Sequence, residues 1–284
     1  MRIAYLGPAD TFTHMAAVRR FGRRAGYVDV PSLEEIFTKV ERGDAEYGVV
    51  PVENSIEGAV THTLDLLPQA RVVICGEILL PVQHYLVSTG TAGRIRVIFS
   101  HPQAFGQCHR WLQSHFPEAY RWQTSSTIEA VRLLTSKGHS DVPLRERAAI
   151  APVTATRRPD LRVIASAIED YRHNTTRFLV IGREPLPSLK GRHKTSLLFA
   201  LKDRPGALHD ALIPFKRGRI NLTKIESRPS KLRAWEYYFF VDISGNENES
   251  RVAKALASLK RQCTEFRVLG SYPVASKTGS RHAG

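Results

Sequence analysis

The stretch HNTTRFLVIG, residues 173–182, sets Thr175, Thr176 and Arg177 at the entrance to an apolar run that reads as a buried strand. Threonine is β-branched and ordinary in strands, so strand filling is one reading. The other is a site at the mouth of a sheet. There a hydroxyl and a guanidinium would be aimed at an anionic ligand. Three further clusters offer the same choice. In GPADTFTHMAA, Thr11 and Thr13 open a helix whose free N–H groups favour an anion, or simply cap it. In VVPVENSIEG, Asn54 and Ser55 suit a turn and cap, whereas Glu53 beside a core strand needs a partner. In FSHPQAFGQC, Ser100, His101 and Gln103 begin a helix, and Gln107 shares a face with Gln103. His101 and Cys108 lack the paired Cys/His spacing of a metal site, so no metal is expected. No Ser–His–Asp order, glycine-rich nucleotide loop or Walker motif accompanies these clusters.

The elements that must position them alternate. RIAYLG reads as a strand and TFTHMAAVRRF as a helix; YVDV precedes the helix SLEEIFTKVERG, with Ser32 and Glu35 as a capping box and Gly43 as its stop. YGVVPV reads as a strand, AVTHTLDLL as a helix, and VVICGEILLPVQHYLVS as a long strand-like stretch interrupted by Pro81. RVIFS, a helix from Gln103 to His115, another from Ser126, and AAIAP continue the pattern. The expectation is an α/β fold with a largely parallel sheet over residues 1–184. Residues 185–194, PLPSLKGRHK, read as a linker. Residues 195–273 then change to the order βαββαβ, which is ferredoxin-like, and 274–284 read as a disordered tail.

At 284 residues, 42% hydrophobic and 24% charged, the chain suits two soluble domains. No apolar run spans a bilayer, and MRIAYLGP lacks the apolar core of a signal peptide, so neither a membrane nor export is expected. Cys75, Cys108 and Cys263 are odd in number and scattered, which fits reduced thiols in a cytoplasm. Of the net charge of +14, residues 185–284 carry +11, from 19 Lys and Arg against 8 Asp and Glu. The basic residues are interspersed with acidic ones and form no nucleic-acid motif, so a solvated surface is expected and no nucleic-acid partner.

YLGPADTFTHMAA, YGVVPVENSIEGAV, SHPQAFGQC, STIEA and IEDYRHNTTRF together, in this order, resemble the prephenate dehydratases, of the monofunctional bacterial type with a C-terminal ACT domain. DRPGALHDAL and INLTKIESRP resemble that family's two phenylalanine-regulation motifs, and the likeness runs from about residue 2 to about residue 272. No chorismate mutase helices precede Met1, so the bifunctional form is not expected. The resemblance implies a two-lobed catalytic domain like the periplasmic binding proteins, with the site in the cleft between lobes. The Glu53 loop and the Thr176 strand would belong to one lobe and the Ser100–Gln107 segment to the other.

It further implies decarboxylating dehydration of prephenate to phenylpyruvate without a cofactor. Thr176 would be the main group aiding hydroxide departure, with Glu53, Asn54 and Gln107 as further catalytic residues. Arg177, Ser100, Ser55, Thr11, Asn174 and Phe178 would bind substrate, Asn174, Thr176, Arg177 and Phe178 being the family's Asn-x-Thr-Arg-Phe element. The ACT domain would bind L-phenylalanine at a subunit interface, in a homodimer or homotetramer. Gly206, Ala207, Leu208, Asn221, Leu222, Glu226, Ser227 and Arg228 would line that allosteric site, Gly206 by letting backbone approach closely. The linker makes the two modules separable, so a chain ending near Arg192 should keep its turnover and lose its response to phenylalanine. Two departures stand out: Asp10 where the family has glycine, facing either the substrate or solvent, and the Arg-Arg-Pro-Asp of APVTATRRPDLRV. Arogenate dehydratase and a non-catalytic amino-acid sensor are the alternative readings.

Overall fold

Three sheets organise the described residues of the computed structural model, which are 1–136, 141–186, 191–232 and 235–275. The first sheet runs Gly26–Val30, Arg2–Leu6, Tyr47–Asn54, Thr175–Gly182, Val73–Pro81, with the short strand Gly58–Ala59 paired to Tyr47–Asn54. The second runs Arg162–Ser166, Tyr85–Ser88, Arg147–Ala151, Val97–Ser100, Tyr120–Gln123. The third is Leu222–Pro229, Tyr237–Ser244, His193–Leu201, Cys263–Pro273, with the helices Ala207–Arg217 and Ser250–Lys260 between its strands in the expected βαββαβ order. Arg2–Leu6 pairs in parallel with both neighbours, as does Val97–Ser100, while the pairings of Tyr85–Ser88 are antiparallel.

Local signals act as written. Ser32 Oγ accepts from the Glu35 N–H at 3.3 Å, and the Gly43 N–H closes the helix Leu33–Arg42 on the Val40 carbonyl. Between the caps Leu33, Ile36, Phe37 and Val40 recur at helical spacing and are buried. The helix expected from Gln103 to His115 is two helices, Pro102–Gln107 and His109–His115, broken at Cys108, whose φ and ψ are −115° and 17°. The strand-like stretch around Pro81 likewise divides, into Val73–Pro81 and Tyr85–Ser88 in different sheets. RRPD holds no helix of its own: a 3-10 turn ends at Arg157, and Arg158 pairs with Asp160.

The chain divides into two compact units. The first comprises 1–6, 16–79 and 177–284, and the second 7–15 and 80–176. The C-terminal domain is thus grouped with residues 1–6 and 16–79 in one unit. The physical reason is a sheet covered on both faces. In His193–Leu201, Leu197 and Phe199 meet the domain's own helices through Phe215, Leu256 and Leu259. Leu198 and Ala200 join Phe240, Leu269 and Tyr272 in one cluster with Leu64, Leu67, Val72 and Ile74. The approach is close: a Cβ on Gly270 would lie 2.2 Å from the Ile74 carbonyl oxygen, so a larger residue cannot stand there. Arg267 donates to the carbonyls of Leu67, Pro68 and Ala70. Of the expected linker, 187–190 lies outside the described residues, as does 276–284 of the expected tail. No helix among the described residues is long and apolar enough to cross a membrane.

Candidate active site

Within the second unit, Gln107 and Asn174 are brought together although 67 positions separate them. Asn174 Nδ2 donates to Gln107 Oε1 at 3.1 Å. His84 joins them, its Nε2 2.7 Å from the same oxygen; a carbonyl oxygen only accepts, so Nε2 carries the proton. Glu169 Oε2 accepts from the His84 N–H at 2.9 Å, and Phe12 meets the His84 ring edge to face, centroids 5.9 Å apart. His84, Gln107, Asn174 and Glu169 are all buried. The backbone is fixed too: the Asp170 N–H donates to the Gln107 carbonyl at 2.7 Å and the Val82 N–H to that of Asn174 at 2.9 Å. Thr176, two residues beyond Asn174, stays half-buried. Sequence reading missed His84 because it sits inside an apolar stretch read as strand; a histidine next to Pro-Val-Gln in such a run was the available signal.

Two expected binding residues of this unit have structural bonds. Ser100 is fully buried and donates to the Ile150 carbonyl at 3.3 Å. Thr11 Oγ1 donates to the Pro8 carbonyl and accepts from the His14 N–H, the ordinary work of a helix start. Asp10 stands at φ 69°, and its N–H donates to His14 Nδ1 at 3.0 Å. A left-handed backbone accounts for the family's glycine at this position, and aspartate is among the residues that tolerate it. The Asp10 carboxylate is 62% exposed. Asp10→Gly should therefore leave KM for an anionic substrate within about twofold at both low and moderate salt, because exposed charges are screened; a clear, salt-dependent fall in KM in steady-state assays would contradict this.

Within the first unit, Arg177 corrects an expectation. It is 8% exposed, and its guanidinium is enclosed by the protein's own groups, not offered to a ligand. Nε donates to Glu77 at 2.7 Å, Nη1 to Asp242 at 2.6 Å and Nη2 to Tyr272 at 2.9 Å; Glu53 lies 3.5 Å from Nη1. Burial alone would lower the Arg177 pKa, but Tyr272, Asp242 and Glu77 outweigh it and drive it up. Burial, then Asp242, raises the Tyr272 pKa, so the phenol keeps its proton. Alternation along Thr175–Gly182 puts Thr176 and Arg177 on opposite faces of the strand. Phe178 is fully buried core and not a binding surface.

Glu53 has the partners its position demanded: Lys224 at 3.2 Å as well as Arg177. Asn54 Oδ1 accepts from the N–H groups of Ile56 and Glu57, the turn chemistry foreseen for it, while Ser55 is exposed on the same hairpin.

In the C-terminal domain, Gly206 precedes the helix Ala207–Arg217 at φ 78°, and a Cβ there would meet nothing within 4 Å. Glycine is required by the dihedral, not by a close approach. Ala207 is half-buried, Leu208 and Leu222 pack on the domain's helical core, and Asn221 is exposed, its carbonyl accepting from Ser244. Glu226 is half-buried and Ser227 exposed on the edge strand Leu222–Pro229. Arg228 instead grips Asp65, with Nε and Nη2 at 3.0 and 3.1 Å, and Lys231 adds 2.8 Å to the same carboxylate. Arg228 foremost holds the Asp65 carboxyl below its ordinary 3.8. A lowered carboxylate pKa stabilises the fold above the ordinary value and loses that contribution as pH falls through the lowered one. Asp65→Asn should cost about 0.5–1 kcal/mol at neutral pH. In paired thermal melts the gap should hold at neutral pH and close as pH falls through the lowered value; a gap that widens on acidification would refute the pairing.

Comparison with known proteins agrees over nearly the whole chain. A family model described as prephenate dehydratase matches residues 3–186, and one described as ACT domain matches 195–261. A bifunctional chorismate mutase/prephenate dehydratase of Aquifex aeolicus is 44% identical over 278 residues, which are 97% of this chain and 74% of that protein. A prephenate dehydratase of Lactococcus lactis is 35% identical over 281 residues, 97% of this chain and 99% of the other. The crystal structure of a prephenate dehydratase from Arthrobacter aurescens in complex with L-Phe is 34% identical, with a TM-score of 0.88 over 100% of this chain and 93% of that one. The expected Asn-x-Thr-Arg-Phe element, a ferredoxin-like domain built on the expected βαββαβ order, and these full-length likenesses lead to one statement: the chain belongs to the prephenate dehydratase family and carries an ACT domain behind its dehydratase region.

Proposed function

We propose that the protein removes carbon dioxide and the ring hydroxyl from prephenate to give phenylpyruvate, in phenylalanine synthesis. The observation that carries the reading is Thr176, half-buried, directly following a segment fixed by the Asn174–Gln107–His84 constellation in a chain of this family. The carbon–carbon bond to the ring carboxylate breaks and its electron pair enters the ring. The bond from ring to hydroxyl breaks in turn, and the departing hydroxide takes one proton to become water. Aromatisation drives the step, so no electron sink is needed. Thr176 donates the hydrogen bond, polarised within a relay, that helps the hydroxide leave. Gln107 and Asn174 orient the substrate's polar groups or Thr176 itself.

L-phenylalanine acts as feedback inhibitor at the ACT domain, in a homodimer or homotetramer; the L-Phe complex of the Arthrobacter relative and the exposed edge strand Leu222–Pro229 support this. Three unpaired cysteines fit a cytoplasmic setting. The test is the ultraviolet absorbance of phenylpyruvate formed from prephenate, with arogenate run in parallel and phenylalanine titrated in. Absence of product from folded protein on either substrate would leave a sensor; product from arogenate alone would reassign the substrate.

A further inference from the structure

We infer that Asp242 and Tyr272, both in the ACT domain, are positioning residues for the dehydration: they clamp Arg177 and so fix the strand that carries Thr176. The inference rests on the reaction proposed above.

The groups around Arg177 form a closed ring whose polarity can be read bond by bond. Arg177 can only donate, so Nη2 gives its hydrogen to Tyr272 Oη at 2.9 Å. Ser196 Oγ donates to Asp242 Oδ1 at 2.5 Å, because a carboxylate only accepts. Tyr272 and Ser196 oxygens stand 2.6 Å apart, and with the Ser196 proton committed, Tyr272 must donate to Ser196. Arg177 Nη1 to Asp242 Oδ2 at 2.6 Å closes the circuit. Three of the four members belong to the ACT sheet, one on each of His193–Leu201, Tyr237–Ser244 and Cys263–Pro273. On the dehydratase side, Glu77 takes Nε of Arg177 and is itself held by Lys194 at 2.9 Å and by the Ala275 N–H. The circuit is buried as well as complete: Ser196, Asp242 and Tyr272 are all withdrawn from the protein surface.

Its place in the chain gives it a consequence for turnover. Arg177 is the residue after Thr176, on the opposite face of one strand, so the pitch of the strand at Arg177 sets the direction of the Thr176 hydroxyl. Burying this much charge is poor value for stability, since apolar packing would serve as well. It is good value for direction, because a planar guanidinium held at all three nitrogens cannot rotate or slide.

The test uses the full chain and two substitutions that keep side-chain shape, Tyr272→Phe and Asp242→Asn. Both should lower kcat by roughly tenfold, since an ångström of misplacement can cost up to 10²-fold. KM for prephenate should stay within about twofold, because neither residue meets the substrate; a purely structural role would alter melting temperature and leave kcat alone. In an Arg177→Lys background Tyr272→Phe should add little, the signature of action through Arg177. The concentration of phenylalanine giving half inhibition should also move, by about fivefold or more. Turnover decides: a folded Tyr272→Phe protein with kcat within about twofold of the parent overturns the inference, and because this variant removes one oxygen it decides even if Asp242→Asn does not fold. A parent chain that makes no phenylpyruvate would overturn the proposed reaction and this inference together. A parent that turns over alongside variants that match it overturns the inference alone.

Discussion

Thr176→Ala is expected to lower kcat by roughly 10²–10⁴-fold, the range for losing a positioned proton or hydrogen-bond donor. The substitution deletes one hydroxyl from a strand whose core, Phe178 to Ile181, stays packed, so the fold and melting temperature should change little. KM should move less than kcat, because the hydroxyl matters most as charge gathers on the departing oxygen. Thr175→Ala is the internal control. It shares the strand face of Arg177, not that of Thr176, and should stay within a few-fold of the parent. Stopped-flow or continuous absorbance at saturating prephenate separates the two. Near-normal turnover by Thr176→Ala would remove this hydroxyl from the mechanism; an equal loss in both variants would point to damage of the strand end instead.

Cutting the chain after Arg192 is expected to cost stability on the order of 10 kcal/mol. Leu198, Phe240, Leu269 and Tyr272 leave a cluster they share with Leu64, Leu67, Val72 and Ile74, and burial of such side chains is worth about 1.5–3 kcal/mol each. Arg177 would also lose Asp242 and Tyr272, and Glu53 would lose Lys224. A loss of this size approaches the whole margin of a typical domain. The truncated protein should melt at least about 15 °C below the full chain and bind a hydrophobic dye. Thr176, Asn174 and Gln107 precede the cut, but Arg177 loses its clamp, so turnover in the cold should fall by about tenfold or more, and phenylalanine should no longer inhibit what remains. A truncated protein melting within about 5 °C of the parent would disprove the shared core.

The sequence carried the signs of the αβ alternation and of the βαββαβ order because caps, stops and apolar periods are local. It also carried a sign that was read past. TSLLFAL is apolar at consecutive positions, and an antiparallel sheet covered on one face should alternate. Leu197 and Leu198 side by side meant two covered faces, hence a second body behind the ACT sheet. Arg177, expected to bind substrate, is enclosed by Glu77, Asp242 and Tyr272. Adjacent strand residues face opposite ways, so Thr176 and Arg177 leave the strand on different faces. The partners of Arg177 were beyond local inspection, since Asp242 and Tyr272 lie 65 and 95 positions away. His84 escaped because nothing local distinguishes a histidine in an apolar stretch from a packed one; only Gln107 and Asn174 give it a role.

The interleaved division of the chain bears on how the protein is made. On the ribosome, Leu80 to Thr176 emerges as one uninterrupted segment, whereas the first unit is written in three pieces. Its sheet lacks an inner strand until Thr175–Gly182 appears between Tyr47–Asn54 and Val73–Pro81, and the ACT cover is complete only with Cys263–Pro273. At about 5–20 residues per second, Leu64, Leu67 and Ile74 wait on the order of ten to forty seconds for the strand Cys263–Pro273. During that interval Leu64, Leu67 and Ile74 have no cover from the strands still to come. Newborn chains of this protein are thus natural clients for chaperones until the last strand has left the exit tunnel.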